Sequence, residues 1–295
     1  MKRAIVTGAS GFIGGHFCQR LRNAGVQVET LSPQLSDDWH EVLEGAEVCF
    51  HLGGLAHDRA GSDQVVAVNA LQTQKLFVAC MEAGVERFVW LSSIKVLGDV
   101  APEALLVEAP YDPHGVYAQS KMQGERELFA AMNQLATPDR LAIVRPPLVY
   151  GPGVKANFAS MLRWCMSGVP LPLGSARAGR AWLSIDNLVS FLQQVATRDL
   201  HGQSLWHVRD DEQTSVAEIL RALAEIADRP MRLLPLPKSW AMKSAELLGR
   251  SSTAQRLFEP LLVDVSQSKT LLGWQPEESQ AEGLAKVVRW YQSQR

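Results

Sequence analysis

The chain has 295 residues, 20% of them charged, and a formal net charge of −2, so it can bury a large core but offers no charge excess for a polyanion. Lys and Arg are scattered without a basic run, which argues against nucleic acid as the main ligand. Cys18, Cys49, Cys80 and Cys165 form no C-x-x-C pair and read as reduced thiols of a cytoplasmic protein. Met-Lys-Arg runs straight into an apolar stretch, so no signal peptide is expected, and the broken apolar runs predict no membrane span.

Residues 3–7 read as a buried strand, Gly8 to Gly14 as a turn and 12–24 as a helix with Phe12, Ile13, Phe17 and Leu21 on one side. Strands follow at 26–31, 47–52, 86–91 and 141–145, with helices at about 63–82 and 115–135. Such alternation predicts β-α-β units, a doubly wound parallel sheet, and ligands at the carboxyl ends of its strands. After Gly151 proline and glycine become frequent and helices predominate, at about 156–167, 187–197, 215–227 and 238–248, with short strands near 181–185 and 204–208. Residues 249–253 are polar and read as a loop. The division expected is a dinucleotide-binding domain over 1–150, rejoined by a segment near 175–200, and a smaller, mostly helical lobe over 151–174 and 200–295.

Gly8, Gly11 and Gly14 form G-x-x-G-x-x-G between a strand and a helix. Glycine is needed where the backbone turns sharply and approaches a pyrophosphate, and the helix N-terminus offers free N–H groups to it. The pattern predicts a Rossmann-type cofactor site formed by Gly8, Ser10, Gly11, Phe12, Ile13 and Gly14. Ser32 stands at the end of the second strand, where an acidic residue would bind the ribose of NAD. A hydroxyl there permits NADP without demanding it, and of NAD and NADP the sequence leans to NADP.

Tyr117 and Lys121 lie four apart on one helix face. A free tyrosine ionises near pH ~10, and a neighbouring ammonium favours the phenolate, which can then exchange a proton with a substrate oxygen. Lys121 can also hold a ribose hydroxyl. Ser93 ends a strand at the ligand edge and can orient the same oxygen. Ser92 is nearer the strand, and Lys95 projects near the site or into solvent.

The motifs resemble those of extended short-chain dehydrogenases/reductases of the NAD-dependent epimerase/dehydratase family, in their nucleotide-sugar branch. They are Thr7-Gly-Ala-Ser-Gly-Phe-Ile-Gly14, His51-Leu-Gly-Gly54, Asn69, Ser92-Ser-Ile-Lys-Val-Leu-Gly98, Tyr117-Ala-Gln-Ser-Lys121 and Arg145-Pro-Pro-Leu-Val-Tyr-Gly-Pro152. Further matches are Val154 to Phe158, Arg180, Asp186 to Leu188 and Gly273-Trp274, so the resemblance runs through nearly the whole chain in order. It implies Ser93, Tyr117 and Lys121 as a catalytic triad. It implies Leu52, Gly53, Gly54, Asn69, Ser92 and Pro146 along the cofactor, and Asn157, Arg180 and Arg256 on the diphosphate of a UDP- or dTDP-sugar.

Ile94-Lys95 stands where 4,6-dehydratases of the family carry Asp-Glu, which argues against dehydration. The segment from Ser32 to Glu47 is short for the branch, and Leu35 or Asp37 are candidates for the adenine clamp. An Asn common to UDP-galactose 4-epimerases is replaced within Pro146-Pro147-Leu148. The missing Asn weakens a UDP-hexose 4-epimerase, and the run from Arg145 to Phe158 resembles reductases of surface-polysaccharide pathways, so a 4-ketoreductase of a UDP- or dTDP-deoxysugar is expected first, the epimerase second and a non-catalytic dinucleotide-binding protein third. The resemblance also allows a homodimer through the helix of Tyr117 and the one before it.

Overall fold

The computed structural model describes residues 1–32, 39–55, 62–247, 249 and 251–294. The elements are β1 (Arg3–Thr7), α1 (Phe12–Asn23), β2 (Gln27–Leu31), α2 (His40–Leu43), β3 (Val48–His51), α3 (Ser62–Val66), α4 (Thr73–Glu82), β4 (Arg87–Leu91), β5 (Ala101–Leu105), α5 (Val116–Leu135), β6 (Leu141–Arg145) and β7 (Leu148–Tyr150). They continue as α6 (Ala156–Ser167), β8 (Trp182–Ser184), α7 (Ile185–Thr197), β9 (Leu205–His207), α8 (Val216–Ile226), α9 (Lys238–Leu247), α10 (Ser251–Phe258), β10 (Leu261–Val263), α11 (Ser266–Leu272) and α12 (Gln280–Ser293).

The main sheet is parallel with strand order β2-β1-β3-β4-β6-β9. Its strands apart from the edge strand β2 are largely apolar on both faces because both are covered. Ala4, Val6, Val48, Phe50, Val89, Leu91, Ala142 and Val144 pack with α1 and α7. Their alternates Ile5, Cys49, Phe88, Trp90, Leu141 and Ile143 pack with α2, α4 and α5. Strand order reverses between β1 and β3, and a doubly wound sheet opens its ligand crevice at that point. A second core unites α6, α8 and α12 with Tyr150 and Trp182, and a third lies around the parallel pair β5–β10.

Several expectations are corrected. The helix over 63–82 is three pieces, with a π-helical turn at Ala67–Gln72 between α3 and α4. Residues 251–258, expected at their start as loop, form α10. The strand near 181–185 is β8, which pairs with β7 outside the main sheet. The strand near 204–208, assigned to the lobe, is β9 and closes the main sheet beside β6. Leu272 and Trp274, also past residue 200, join the same core as β1 and β4, so the chain returns to the sheet again after α7, which packs on it over the expected segment near 175–200. The helix α12 is unforeseen, although its Ser279/Glu282 capping box is a local signal. Among the described residues no helix is long and apolar enough to cross a membrane.

The contact of α5 with its neighbours is close. A Cβ on Gly124 would lie 2.6 Å from both the Asn69 carbonyl oxygen and Cη2 of Trp90, whereas one on Gly15 of α1 would meet only Ala9 O at 3.7 Å. Gly124→Ala is therefore expected to lose about 1–3 kcal/mol by overpacking, and Gly15→Ala to be neutral or stabilising through helix propensity. Denaturant unfolding of the two variants checks this; equal stability would contradict the close packing.

Candidate active site

The glycine turn after β1 is built by exclusion of side chains. Gly8 has φ +71°, and a Cβ on it would lie 2.5 Å from the Gly53 nitrogen on the turn after β3. A Cβ on Gly14 would lie 2.1 Å from Gly8 O, so the first turn of α1 packs directly on the loop. No side chain caps α1 at Gly11, which leaves its first N–H groups for a ligand. Ser10 is exposed on this turn, while Phe12 and Ile13 are partly buried against the core. This is a backbone-lined cradle at the reversal of strand order, and it fits a dinucleotide's pyrophosphate.

A buried relay holds the two turns together. His51 is hydrogen-bonded to Thr7 Oγ1 at 2.6 Å and to Thr73 Oγ1 at 2.9 Å, and Gly53 N donates to the same Thr7 hydroxyl at 3.2 Å. Burial, aided by the nearby Lys121 charge, pushes the His51 pKa down to about 3, so the ring is neutral at physiological pH. No role for Thr7, His51 or Thr73 was foreseen, because only the fold brings them together.

Asn69 lies on the π-helical turn, a feature frequent at functional sites. Its amide donates to Leu55 O and to Ser120 Oγ, each at 2.9 Å, and accepts from Leu55 N at 2.9 Å. Asn69 thus fastens the turn after β3 to α5 from beneath. Leu52 is partly buried against the core, Gly53 is half-buried, and Gly54 is exposed. A Cβ on Gly54 would lie 2.9 Å from Asn69 Oδ1 and 3.2 Å from Lys121 Nζ, so glycine lets the ammonium reach the turn.

Ser93, Tyr117 and Lys121 converge where β4 meets α5. Burial raises the Tyr117 phenol above its ordinary pKa, and a hydrogen bond with Ser93 acts the other way. Ser93 also caps the 3-10 turn Ile94–Leu97, its hydroxyl accepting from Lys95 N at 3.3 Å. Lys121 is buried; its Nζ donates to Leu91 O at 2.9 Å and lies 4.5 Å from the Trp90 ring centroid. Burial pushes its pKa down to about 7, against the opposing charge of Glu125.

Ser92 and Pro146 support this turn from behind. The Ser92 hydroxyl donates to Glu125 Oε1 at 2.6 Å, so its side chain is directed away from the cradle, and Pro146 O accepts from Ile94 N at 3.0 Å. Ser32 is exposed at the end of β2, and Glu29, the other acid near it, is paired with Arg3 at 2.7 Å. Leu35 and Asp37 lie outside the described residues.

Arg180 and Arg256 meet at Asp99. Arg256 Nε lies 3.4 Å from its carboxylate, and Arg180 reaches Asp99 O and Glu259 O. Lys95 Nζ joins them, 3.7 Å from Asp99. Burial pushes Arg180 down to about 10, with Asp99 opposing the shift. Three cations around one carboxylate leave a surplus of positive charge suited to an anion. Asn157 is exposed in the first turn of α6 and has no part in this cluster. Among the described residues no group of His, Cys, Asp and Glu could hold a metal ion.

Comparison with known proteins finds relatives across nearly the whole chain. The NAD dependent epimerase/dehydratase family matches residues 4–205. A UDP-glucose 4-epimerase of Vibrio cholerae is 32% identical over 318 residues, covering 98% of this chain and 95% of its own. The structure of UDP-glucuronic acid 4-epimerase from Bacillus cereus in complex with NAD superposes with a TM-score of 0.80 at 21% identity, over 99% of each chain. That of MoeE5 in complex with UDP-glucose and NAD gives 0.77 at 24%, again over 99% of each.

The Lys121 ammonium is present below about pH 7 and is lost as pH rises through that value. For proton exchange by a Tyr117 phenolate beside that ammonium, kcat/KM is expected to fall at alkaline pH as Lys121 loses its charge, with a limb near pH 7. A pH profile that stays flat from 6 to 9 would contradict it.

Proposed function

We propose that this chain, which belongs to the NAD dependent epimerase/dehydratase family, is a UDP-hexose 4-epimerase that uses NAD. The observation that carries the reading is the 32% identity with the Vibrio cholerae UDP-glucose 4-epimerase across almost the full length of both chains. The family consists of enzymes of the short-chain dehydrogenase/reductase type that act on nucleotide sugars, and the site's geometry supports the same chemistry. NAD is the dinucleotide in the Bacillus cereus epimerase and MoeE5 complexes, while the exposed Ser32 leaves NADP sterically open.

The glycine cradle of Gly8, Gly11 and Gly14, with Gly53 and Gly54 facing it, would hold the dinucleotide. When bound, it supplies the acceptor and donor of hydride for the sugar's C4. Tyr117 takes the proton from the C4 hydroxyl and returns it to the ketone oxygen. Ser93 hydrogen-bonds the same oxygen and fixes the phenol beside it. Lys121 stabilises the phenolate by opposite charge and offers its remaining donors to a ribose hydroxyl. Arg180, Arg256 and Lys95 hold the diphosphate. The sugar's C4 then presents either face while its anchor stays fixed.

A second reading, 4-keto reduction of a UDP- or dTDP-deoxysugar, keeps the same triad. It rests on the replacement of an epimerase Asn within Pro146-Pro147-Leu148. Both readings are distinguished by supply of cofactor. NAD-loaded protein given UDP-glucose alone is expected to form UDP-galactose, with Tyr117→Phe slower by at least about 10²-fold and its NAD content unchanged. Absence of interconversion, with NADPH consumed only when a 4-keto sugar is supplied, would select the reductase.

A further inference from the structure

Three successive turns of α5 clasp the end of β4. Tyr117 is hydrogen-bonded with Ser93, Lys121 Nζ donates to Leu91 O, and Glu125 accepts from Ser92 Oγ at 2.6 Å. Residues four apart on a helix share a face, so 117, 121 and 125 form one stripe against residues 91–93. The first two are the groups assigned to proton exchange above. The third is a fully buried carboxylate for which that assignment has no use.

Glu125 is saturated on its other sides. Arg145 of β6 forks onto it, Nε to Oε1 at 2.9 Å and Nη2 to Oε2 at 2.5 Å. Tyr111 Oη donates to Oε2 at 2.8 Å. Arg145 Nη1 is held in turn by Val107 O at 2.8 Å. This bidentate pair holds the carboxylate in one position.

We infer that Glu125 is a positioning residue of the reaction: it locks the β4 end that carries Ser93 and supplies the buried negative charge that keeps Lys121 an ammonium. The inference rests on the epimerase reading only in giving Lys121 a task. Among the described residues the charged and titratable groups facing Lys121 are few. They are Glu125 from α5 itself, with Tyr117 one turn earlier on the same helix face, and neutral His51 from β3, while β4 offers the Leu91 carbonyl and the Trp90 ring. Arg145 faces Glu125 from β6, and Tyr111 faces it from the segment before α5. Glu125 is the one carboxylate among these groups in the described residues. Without it Lys121 would be buried beside neutral His51 with no counter-charge among the described residues, and deprotonation would become easier.

The test reads the lysine directly and needs no substrate. In cofactor-free protein labelled at the lysine ε-carbon, the Lys121 resonance, assigned by its loss in Lys121→Met, is followed through pH. Glu125→Gln is expected to move its midpoint to lower pH by roughly one unit or more, and Glu125→Asp to restore most of the shift. The alkaline limb of the kcat/KM profile should move the same way. An unmoved midpoint in folded Glu125→Gln protein would reduce the carboxylate to a structural ion pair and overturn the inference. Should that variant not fold, Ser92→Ala removes the clasp and keeps the charge. It is expected to lower kcat several-fold with the midpoint unchanged, and undiminished kcat would overturn the positioning role. A shifted midpoint in protein that turns over no UDP-hexose would leave the inference standing and remove the epimerase reading instead.

Discussion

In the proposed mechanism the site depends on keeping one ammonium charged inside the protein. Lys121 is buried beneath the turn after β3, among a strand carbonyl, an indole ring and a carboxylate one helical turn away. Burial alone would favour the neutral amine. The groups that counter it come from two elements, the Leu91 carbonyl and Trp90 ring of β4 and Glu125 of α5, and Arg145 of β6 fixes Glu125 in turn. The Glu125–Arg145 pair is part of this arrangement, and removing one partner of such a buried pair costs about 3–5 kcal/mol.

The same economy governs the cofactor cradle. Turns after β1 and β3 approach until no Cβ fits at Gly8, and the Thr7–His51–Thr73 relay fixes that approach without leaving a charge on the ring. Neutral His51 matters for Lys121 as well, because an imidazolium there would add a second buried cation. Asn69 then ties the turn to α5. The cradle and the proton-transfer groups thus share one buried framework, so a change in either is felt by the other.

Much of this was legible from sequence, and the boundary is physical. The glycine turn, the Tyr117–Lys121 spacing and Ser93 at a strand end are local signals, read within a few residues. The buried network is not local. Ser92, Tyr111, Glu125 and Arg145 span more than fifty positions, and Glu125 sits in Met-Gln-Gly-Glu-Arg-Glu, which reads as a solvated helix face. Its place eight residues after Tyr117, on the same stripe, was the available clue. The parallel pair β5–β10 joins segments about 160 residues apart, and β9 returns to the main sheet from within a helical region. No periodicity announces such pairings. The capping box of α12 is a local signal of the same kind as the glycine turn.

The central claim is that a hydrogen leaves C4 as hydride, stays within the site and returns to the same carbon while Tyr117 handles the proton. UDP-glucose carrying deuterium at C4 tests this most directly, by mass spectrometry and NMR of the UDP-galactose formed in ordinary water. The account expects the deuterium to be retained at C4 of the product. Its replacement by solvent hydrogen would contradict the account.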